Sequence, residues 1–331
     1  LGNPAGIPQF RDAEQVLSYF RGDRFLKRIA KKGIKPEDVT FTAVTIREPA
    51  VDRAIELKSK GIGPDRILMM VSTDPEHHFA NSGTTLSTYW KEAERCIRKA
   101  ADAGIKMCGT VSTIWGSPIT GATRLEDAVE FTKRWLSIGA YDIEHADHDG
   151  SASAAQVYRY FSMILDEIPV PEVHLAHFHE TKRVASASVL AALQAGITRF
   201  EGTLGGLGGQ PANFLDDCPV RGTGEYYYRD PRYVGLITME DLLVMIDELG
   251  IEHGYDVDRV LWLGNKMEKT IGRRLRSEAI YNGRTEKEGH MEFARPGLKK
   301  LIEKLGERPG QLIPADWAPR ATLPEKYRAR A

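Results

Sequence analysis

Cysteine is scarce in this 331-residue chain. Cys96, Cys108 and Cys218 are an odd number, and none forms a CxxC pair. A disulfide scaffold and a structural zinc cluster are therefore excluded as organising devices, and a reducing cytoplasm is the expected compartment. Charge bias is also missing: 45 basic against 46 acidic residues leave a net charge of -1, so no global field draws the chain to nucleic acid or to an acidic membrane. No apolar run reaches the roughly 18 residues a transmembrane helix requires. The opening residues, LGNPAGIPQF, lack the basic start and apolar core of a signal peptide, and the genetic start is expected upstream of Leu1. No repeat of solenoid length is visible. What remains is an ordinary globular composition, 42% apolar and 27% charged, with enough material for one large domain or two small ones.

Short β-rich runs alternate with helical stretches. The spacing predicts strands over roughly 39–46, 66–71, 106–112, 141–145, 172–178 and 198–202. The clearest helix follows Thr123, with Leu125, Ala128, Val129, Thr132, Trp135 and Leu136 on one face and Gly139 just past its end. Thr123 and Glu126 stand at capping-box spacing. Repeated strand–helix units imply a parallel sheet with right-handed crossovers. Polar residues gather where each strand ends: Arg47 and Glu48, Ser72 to Asp74, Ser112 and Thr113, His145 to Asp149, His177 to Thr181, and Glu201 to Thr203. Six such clusters favour a (β/α)8 TIM barrel, whose active face is built at strand C-termini, over a doubly wound sheet with one switch point. Only six strands are countable, so one or two strands, about 60 residues at typical unit length, are expected upstream of Leu1. After about 250 the pattern stops. The expected division is a catalytic barrel over 1–250 and C-terminal helices with a tail over 251–331, including a long helix near 255–279 and a short one near 296–305. That tail would wrap the barrel or a partner subunit, or form a terminal extension.

His177-Phe178-His179-Glu180-Thr181 ends a predicted strand. Alternation puts His177 and His179 on one face, about 7 Å apart along the strand, where two imidazoles can chelate one divalent ion. The next strand runs into Leu204-Gly205-Gly206-Leu207-Gly208-Gly209-Gln210-Pro211-Ala212-Asn213. Glycines 205, 206, 208 and 209 allow close approach to a ligand or movement as a lid, and the run fits neither a Walker loop nor a dinucleotide fingerprint. A third cluster, Glu144 to Gly150, places His145 and Asp147 on one side of a strand end. Asp147 is a candidate base or orienter beside a metal or substrate hydroxyl, with His148 next to it. His77 and His78 read as residues of a solvated loop, and His174 as structural.

The HFHET strand end, the following helix VASASVLAALQAGI, a short strand and then GGLGG together resemble the 3-hydroxy-3-methylglutaryl-CoA lyase branch of the HMGL-like (pyruvate carboxyltransferase-like) metal-dependent barrels, from the first residues to about 280. The resemblance implies an acyl-CoA or hydroxy-acid substrate and a divalent ion (Mg2+, Mn2+, Co2+ or Zn2+) on His177 and His179. It also implies His177 and Asp147 as catalytic residues, to which His148 of the same cluster is added as a candidate, and Gly205, Gly206, Gly208, Gly209 and Gln210 as the loop over the substrate. Asn213, seven residues after Gly206, matches the ligating Asn of the synthase branch and is taken as the third ligand. The lyase branch has its Asn later, where this chain has Leu236. Two further departures stand out. The family's opening strand, with an Arg and a metal-binding Asp, is not in the sequence, and Gln210 replaces the loop Cys of the lyases. Gln has no acidic proton near neutral pH, so proton delivery must come from another group. Residues 214–234, rich in Tyr, Arg and Asp, read as an insertion over the active face. The expected reaction is retro-Claisen cleavage of a 3-hydroxyacyl-CoA. The alternatives are a Claisen synthase joining acetyl-CoA to a 2-oxoacid, and an inactive barrel serving as a binding subunit. A homo-oligomer, expected as a dimer, with no nucleic-acid or membrane partner, completes the expectation.

Overall fold

The structure is a computed structural model that describes residues 1, 10–209, 234–284, 300 and 303–304, together with the backbone of 213–215 and 218–220. Leu1–Gly283 form one compact unit and Arg284–Ala331 another. Of the second, the described residues Lys300, Glu303 and Lys304 are helical. No described helix is long and apolar enough to cross a membrane.

Helices α1 (Ala13–Arg21) and α2 (Asp23–Ala30) precede a parallel sheet of six strands: β1 (Thr42–Val44), β2 (Arg66–Ser72), β3 (Lys106–Ser112), β4 (Asp142–Asp147), β5 (His174–Phe178) and β6 (Phe200–Glu201). Their order in the sheet is their order in sequence. A doubly wound sheet would reverse direction at a switch point. This one never does, which is the winding of a barrel wall. Helices α3 (Glu48–Ser59), α4 (Pro75–Ser82), α5 (Leu86–Asp102), α6 (Leu125–Ser137), α7 (Ala154–Glu167) and α8 (Ala185–Ala195) make the crossovers. Beyond β6 the ladder continues through 236–238: the Ile237 amide donates to Phe178 O, and Ile237 O accepts from Thr203 N. A short antiparallel hairpin, β7 (Asn213–Leu215) and β8 (Cys218–Val220), pairs Phe214 with Pro219. All six expected strands are present.

The strands are apolar because helices cover them; six of the seven residues of β2 are buried. Trp135 of α6 is fully buried and donates from Nε1 to Thr110 O at 3.2 Å. It lies directly on Gly109, where a Cβ would come within 2.4 Å of the indole, so glycine is needed for helix and strand to approach this closely. Trp135→Ala is expected to destabilise the chain by about 3–5 kcal/mol. Urea unfolding checks this; a cost under about 1 kcal/mol would show that α6 is not held to the sheet through this side chain.

Three expectations are corrected. The box at Thr123 is absent: Arg124 precedes α6 without a side-chain cap, and Thr123 Oγ1 donates instead to Ile114 O at 3.0 Å. A reciprocal box does form at Ser153 and Gln156, at the start of α7. The long helix near 255–279 is two helices, α10 (Val257–Ile271) and α11 (Ala279–Asn282), because Gly272 ends the first in the left-handed region (φ 74°). His77 and His78 are not in a solvated loop. Both are buried on α4, and burial holds each imidazole down to about 4.

Candidate active site

Charged residues are rare in a parallel strand covered on both faces, yet β4 reads DIEHAD and every residue of it is buried. Alternation divides it into Asp142, Glu144 and Ala146 on one face and Ile143, His145 and Asp147 on the other. The His145 face turns toward α7. His145 Nδ1 accepts from the Tyr160 hydroxyl at 2.9 Å, and its Nε2–H donates to His174 Nδ1 at 3.0 Å. His174 Nε2–H in turn donates to Ile168 O at 3.1 Å. Every polar atom is satisfied with both rings neutral, and burial lowers both pKa values. This pair belongs to the framework.

The opposite face carries Glu144 to the site. Thr110 on β3 donates to Glu144 Oε1 at 3.1 Å, and that oxygen lies 3.7 Å from His177 Nδ1. On the other side of β5, Glu201 stands in register with His177 and accepts from its Nδ1–H at 2.8 Å. One ligand atom from each of Glu144, His177 and Glu201 falls within 4.8 Å of the others. Burial disfavours charge on His177, but the carboxylates of Glu144 and Glu201 outweigh it and raise its pKa. Burial, then the charge of Glu201, raises Glu144; Glu201, in contact with the imidazole, stays ionised.

His179 shares the face of His177. Its Nε2 lies 3.2 Å from His177 Nε2, while its Nδ1–H donates to Val234 O at 2.5 Å. Burial and then the His177 charge hold its pKa down to about 3. Both imidazoles thus commit their Nδ1 protons elsewhere and aim Nε2 at the same space. Two lone pairs this close repel unless a proton or a cation lies between them; the raised pKa of His177 supplies the proton, and a cation could take its place. The residues present fit a divalent ion. Around them, the His148 ring centroid is 5.7 Å from that of His179 and 4.5 Å from that of His77. Asp147 is buried, and its carboxylate accepts from Ser151 N at 3.2 Å and Ala152 N at 3.1 Å. Burial raises its pKa, and Asp149 adds to this against the two amides.

The surrounding backbone is built for close approach. Gly150 adopts φ 63°, and a Cβ there would lie 2.7 Å from His179 O. Thr113, after β3, also has positive φ (58°), an unusual conformation for a β-branched residue, and sits at this end of the sheet. The glycine loop has a fixed stem: Gly205 N donates to both carboxylate oxygens of Glu240 (3.0 and 2.8 Å), and Gly205 O accepts from Arg276 N at 3.0 Å. Gly205 and Gly206 are buried, whereas a Cβ at Gly208 would meet nothing within 4 Å. Gln210 and the side chain of Asn213 lie outside the described residues; Asn213 itself begins β7. Leu236 forms a bridge with His179, so the position where the lyase branch carries its Asn is beside the histidine pair.

A cavity of about 890 Å3 opens at the other end, among Arg66, Lys106, Asp142 and Arg199. Asp142 accepts there from both Arg66 (3.1 Å) and Arg199 (2.8 Å), an ion cluster suited to holding strand N-termini together. Chemistry in barrels belongs to the opposite face.

The HMGL-like family matches residues 22–266. The chain belongs to the HMGL-like family. HMGL-like relatives include a hydroxymethylglutaryl-CoA lyase of Pseudomonas mevalonii, 30% identical over 84% of this chain and 80% of its own length. An (R)-citramalyl-CoA lyase of Chloroflexus aurantiacus is 27% identical over 82% and 78%. Among solved structures, an HMG-CoA lyase from Acinetobacter baumannii in complex with coenzyme A and 3-methylmalate superposes with a TM-score of 0.71 at 25% identity, covering 88% of this chain and 83% of that one. These relatives, lyases over most of the chain's length, make it a carbon–carbon lyase on a TIM barrel, and HMGL-like lyases depend on a divalent metal. The relatives named are lyases, and they do not favour the condensing or the inactive alternative.

The structure brings His177, His179, His148 and Asp147 to one end of the sheet, with the stem of the glycine loop anchored nearby. Sequence reasoning listed Glu201 among the strand-end polar residues without a role, and it gave Glu144 none. Sequence parity separates Glu144 from His145, but only the register that pairs Ala146 with His177 shows that the face of Glu144 is the face of the site.

Proposed function

We propose that the chain cleaves a branched 3-hydroxyacyl-CoA, of the kind represented by 3-hydroxy-3-methylglutaryl-CoA or citramalyl-CoA, by a retro-Claisen reaction. The observation that carries this reading is the pair of Nε2 atoms 3.2 Å apart with both Nδ1 protons engaged. His177 and His179 would hold the divalent ion, with Asn213 as third ligand, supported by its spacing from the glycine loop. When bound, the ion supplies Lewis acidity toward the substrate hydroxyl and carboxylate.

The protein's own groups do the rest. With Nε2 of His177 engaged and its Nδ1–H held by Glu201, the base is Asp147, whose carboxylate is fixed by two amides and is unusually basic for an aspartate. It takes the hydroxyl proton. The carbon–carbon bond then breaks, the alkoxide becomes a ketone, and the electron pair passes to the departing acetyl thioester as an enolate. His148, beside His179, returns a proton to that carbon in place of the family's loop Cys. Gly208 and Gly209, over the anchored stem, would let the loop close and exclude water. The barrel would occupy 1–250 and the C-terminal helices and tail 251–331.

The test is to incubate the chain with each acyl-CoA and Mg2+ or Mn2+ and to quantify acetyl-CoA. Release is expected from at least one substrate, falling about 10²–10⁴-fold in Asp147→Asn while the ion stays bound. No acetyl-CoA from either substrate, with the ion bound, would refute the reading.

A further inference from the structure

Glu144 and Glu201 take no proton and touch no substrate in the proposed reaction, yet both converge on one nitrogen of His177. An imidazole can serve a cation through either nitrogen, and the nitrogen left over is decided by its hydrogen-bond partner. Here two placements compete. In the outer one, Nε2 of His177 and Nε2 of His179 share the ion at the mouth of the barrel. In the inner one, Nδ1 of His177 joins Glu144 and Glu201 around an ion one layer deeper, and the Nε2–H of His177 merely donates to His179.

We propose that Glu201, braced by Glu144, is a positioning residue that fixes the Nδ1–H form of His177 and so directs its Nε2 outward. This rests on the reading of His177 and His179 as the ion's ligands and extends it to the residues behind them. Three observations favour the outer placement. Glu201 is the register partner of His177 on the adjacent strand, and its Oε2 is 2.8 Å from Nδ1, a normal distance for an accepted N–H. Glu144 is already occupied by the Thr110 hydroxyl and nearly sealed from solvent, at 5% exposure. His179 is oriented in the same way by a different acceptor, the Val234 carbonyl, so both rings present the same nitrogen. Parallel orientation of two rings by unrelated partners is expected if a common ligand lies at their Nε2 atoms. The inner placement also needs the Nδ1–H of His179, so that its Nε2 can accept from His177, but it leaves no proton on Nδ1 of His177 for Glu201 to accept.

Titration of the full chain with Mn2+, read by calorimetry, tests this. Glu201→Leu removes the acceptor and is expected to weaken Mn2+ binding about 10–100-fold. Glu201→Gln, whose amide oxygen still accepts from Nδ1–H, should recover most of the affinity, and Glu144→Gln should stay within a few-fold of the parent. His179→Ala should lose the ion. A thermal melt of each cation-free variant confirms that it folds. If Glu201→Leu binds as tightly as the parent, the positioning role is refuted. If Glu144→Gln loses the ion while His179→Ala keeps it, the inner placement is right and the proposal is wrong. Failure of the underlying reading looks different: the parent chain itself would then bind no Mn2+.

Discussion

Replacing His177 and His179 together by alanine is expected to abolish binding of the divalent ion and to cut acetyl-CoA release by at least about 10³-fold. The magnitude follows from the work asked of the ion. Stabilising a developing alkoxide is worth several kcal/mol, and about 4 kcal/mol corresponds to roughly three powers of ten in rate. Asp147 alone cannot compensate, because the hydroxyl of a tertiary alcohol is far less acidic than any carboxyl. The variant should fold. Removing the His177 ring leaves Glu144 and Glu201 facing each other, and the raised pKa of Glu144 lets it stay protonated beside an ionised neighbour. Elemental mass spectrometry of the purified protein, with turnover on the same samples, checks both halves. An ion retained at parental stoichiometry in the double variant would move the metal site away from this strand.

Gly150→Ala should be nearly as damaging, although it touches no reacting group. The residue lies in the left-handed region, which costs an L-residue about 1–2 kcal/mol. The added methyl would also come within 2.7 Å of His179 O and 2.9 Å of Thr181 N, both backbone atoms of the strand end that carries the histidine pair. Overpacking of this kind typically adds 1–3 kcal/mol. Asp147 O already accepts from both His179 N (3.3 Å) and Gly150 N (3.4 Å), so the turn and the strand end move together. We expect a loss of roughly 2–5 kcal/mol in urea unfolding and a weakened affinity for Mn2+. A loss below about 1 kcal/mol with unchanged affinity would mean that the turn gives way without disturbing His179.

The strands were legible because burial by helices on both sides selects runs such as RILMMV and KMCGTV, which turn residues then bound on each side. The histidine pair was legible for the same reason: a period of two leaves no choice about sharing a face. The helix start at Thr123 was misread because capping spacing says nothing of competitors, and the nearby Ile114 carbonyl takes the hydroxyl. The break at Gly272 was missed because apolar periodicity continues weakly through it. Glu144 escaped notice because its partners, Thr110, His177 and Glu201, come from three other strands; only the sheet register unites them. The buried state of His77 and His78 likewise depends on tertiary neighbours, Tyr89 and His148 among them.

The anchoring of Gly205 sets how far the chain can be shortened for crystallography or engineering. Helix α9 (Met239–Glu248) supplies Glu240 to that glycine and Asp241 to the far side, where its carboxylate accepts from Ser277 Oγ at 2.9 Å and Ala279 N at 2.8 Å. Between these points Leu275 rests on Gly205, and Arg276 reaches both Gly205 O and Glu180 O. A cut after Ile271, at the tidy end of α10, would remove no group assigned to the chemistry, yet it would strip the clasp from the loop and from the residue following the histidine pair. A fragment that keeps this loop stem anchored therefore extends through Ala279, and a design that trims for compactness should retain residues 272–279 as its support.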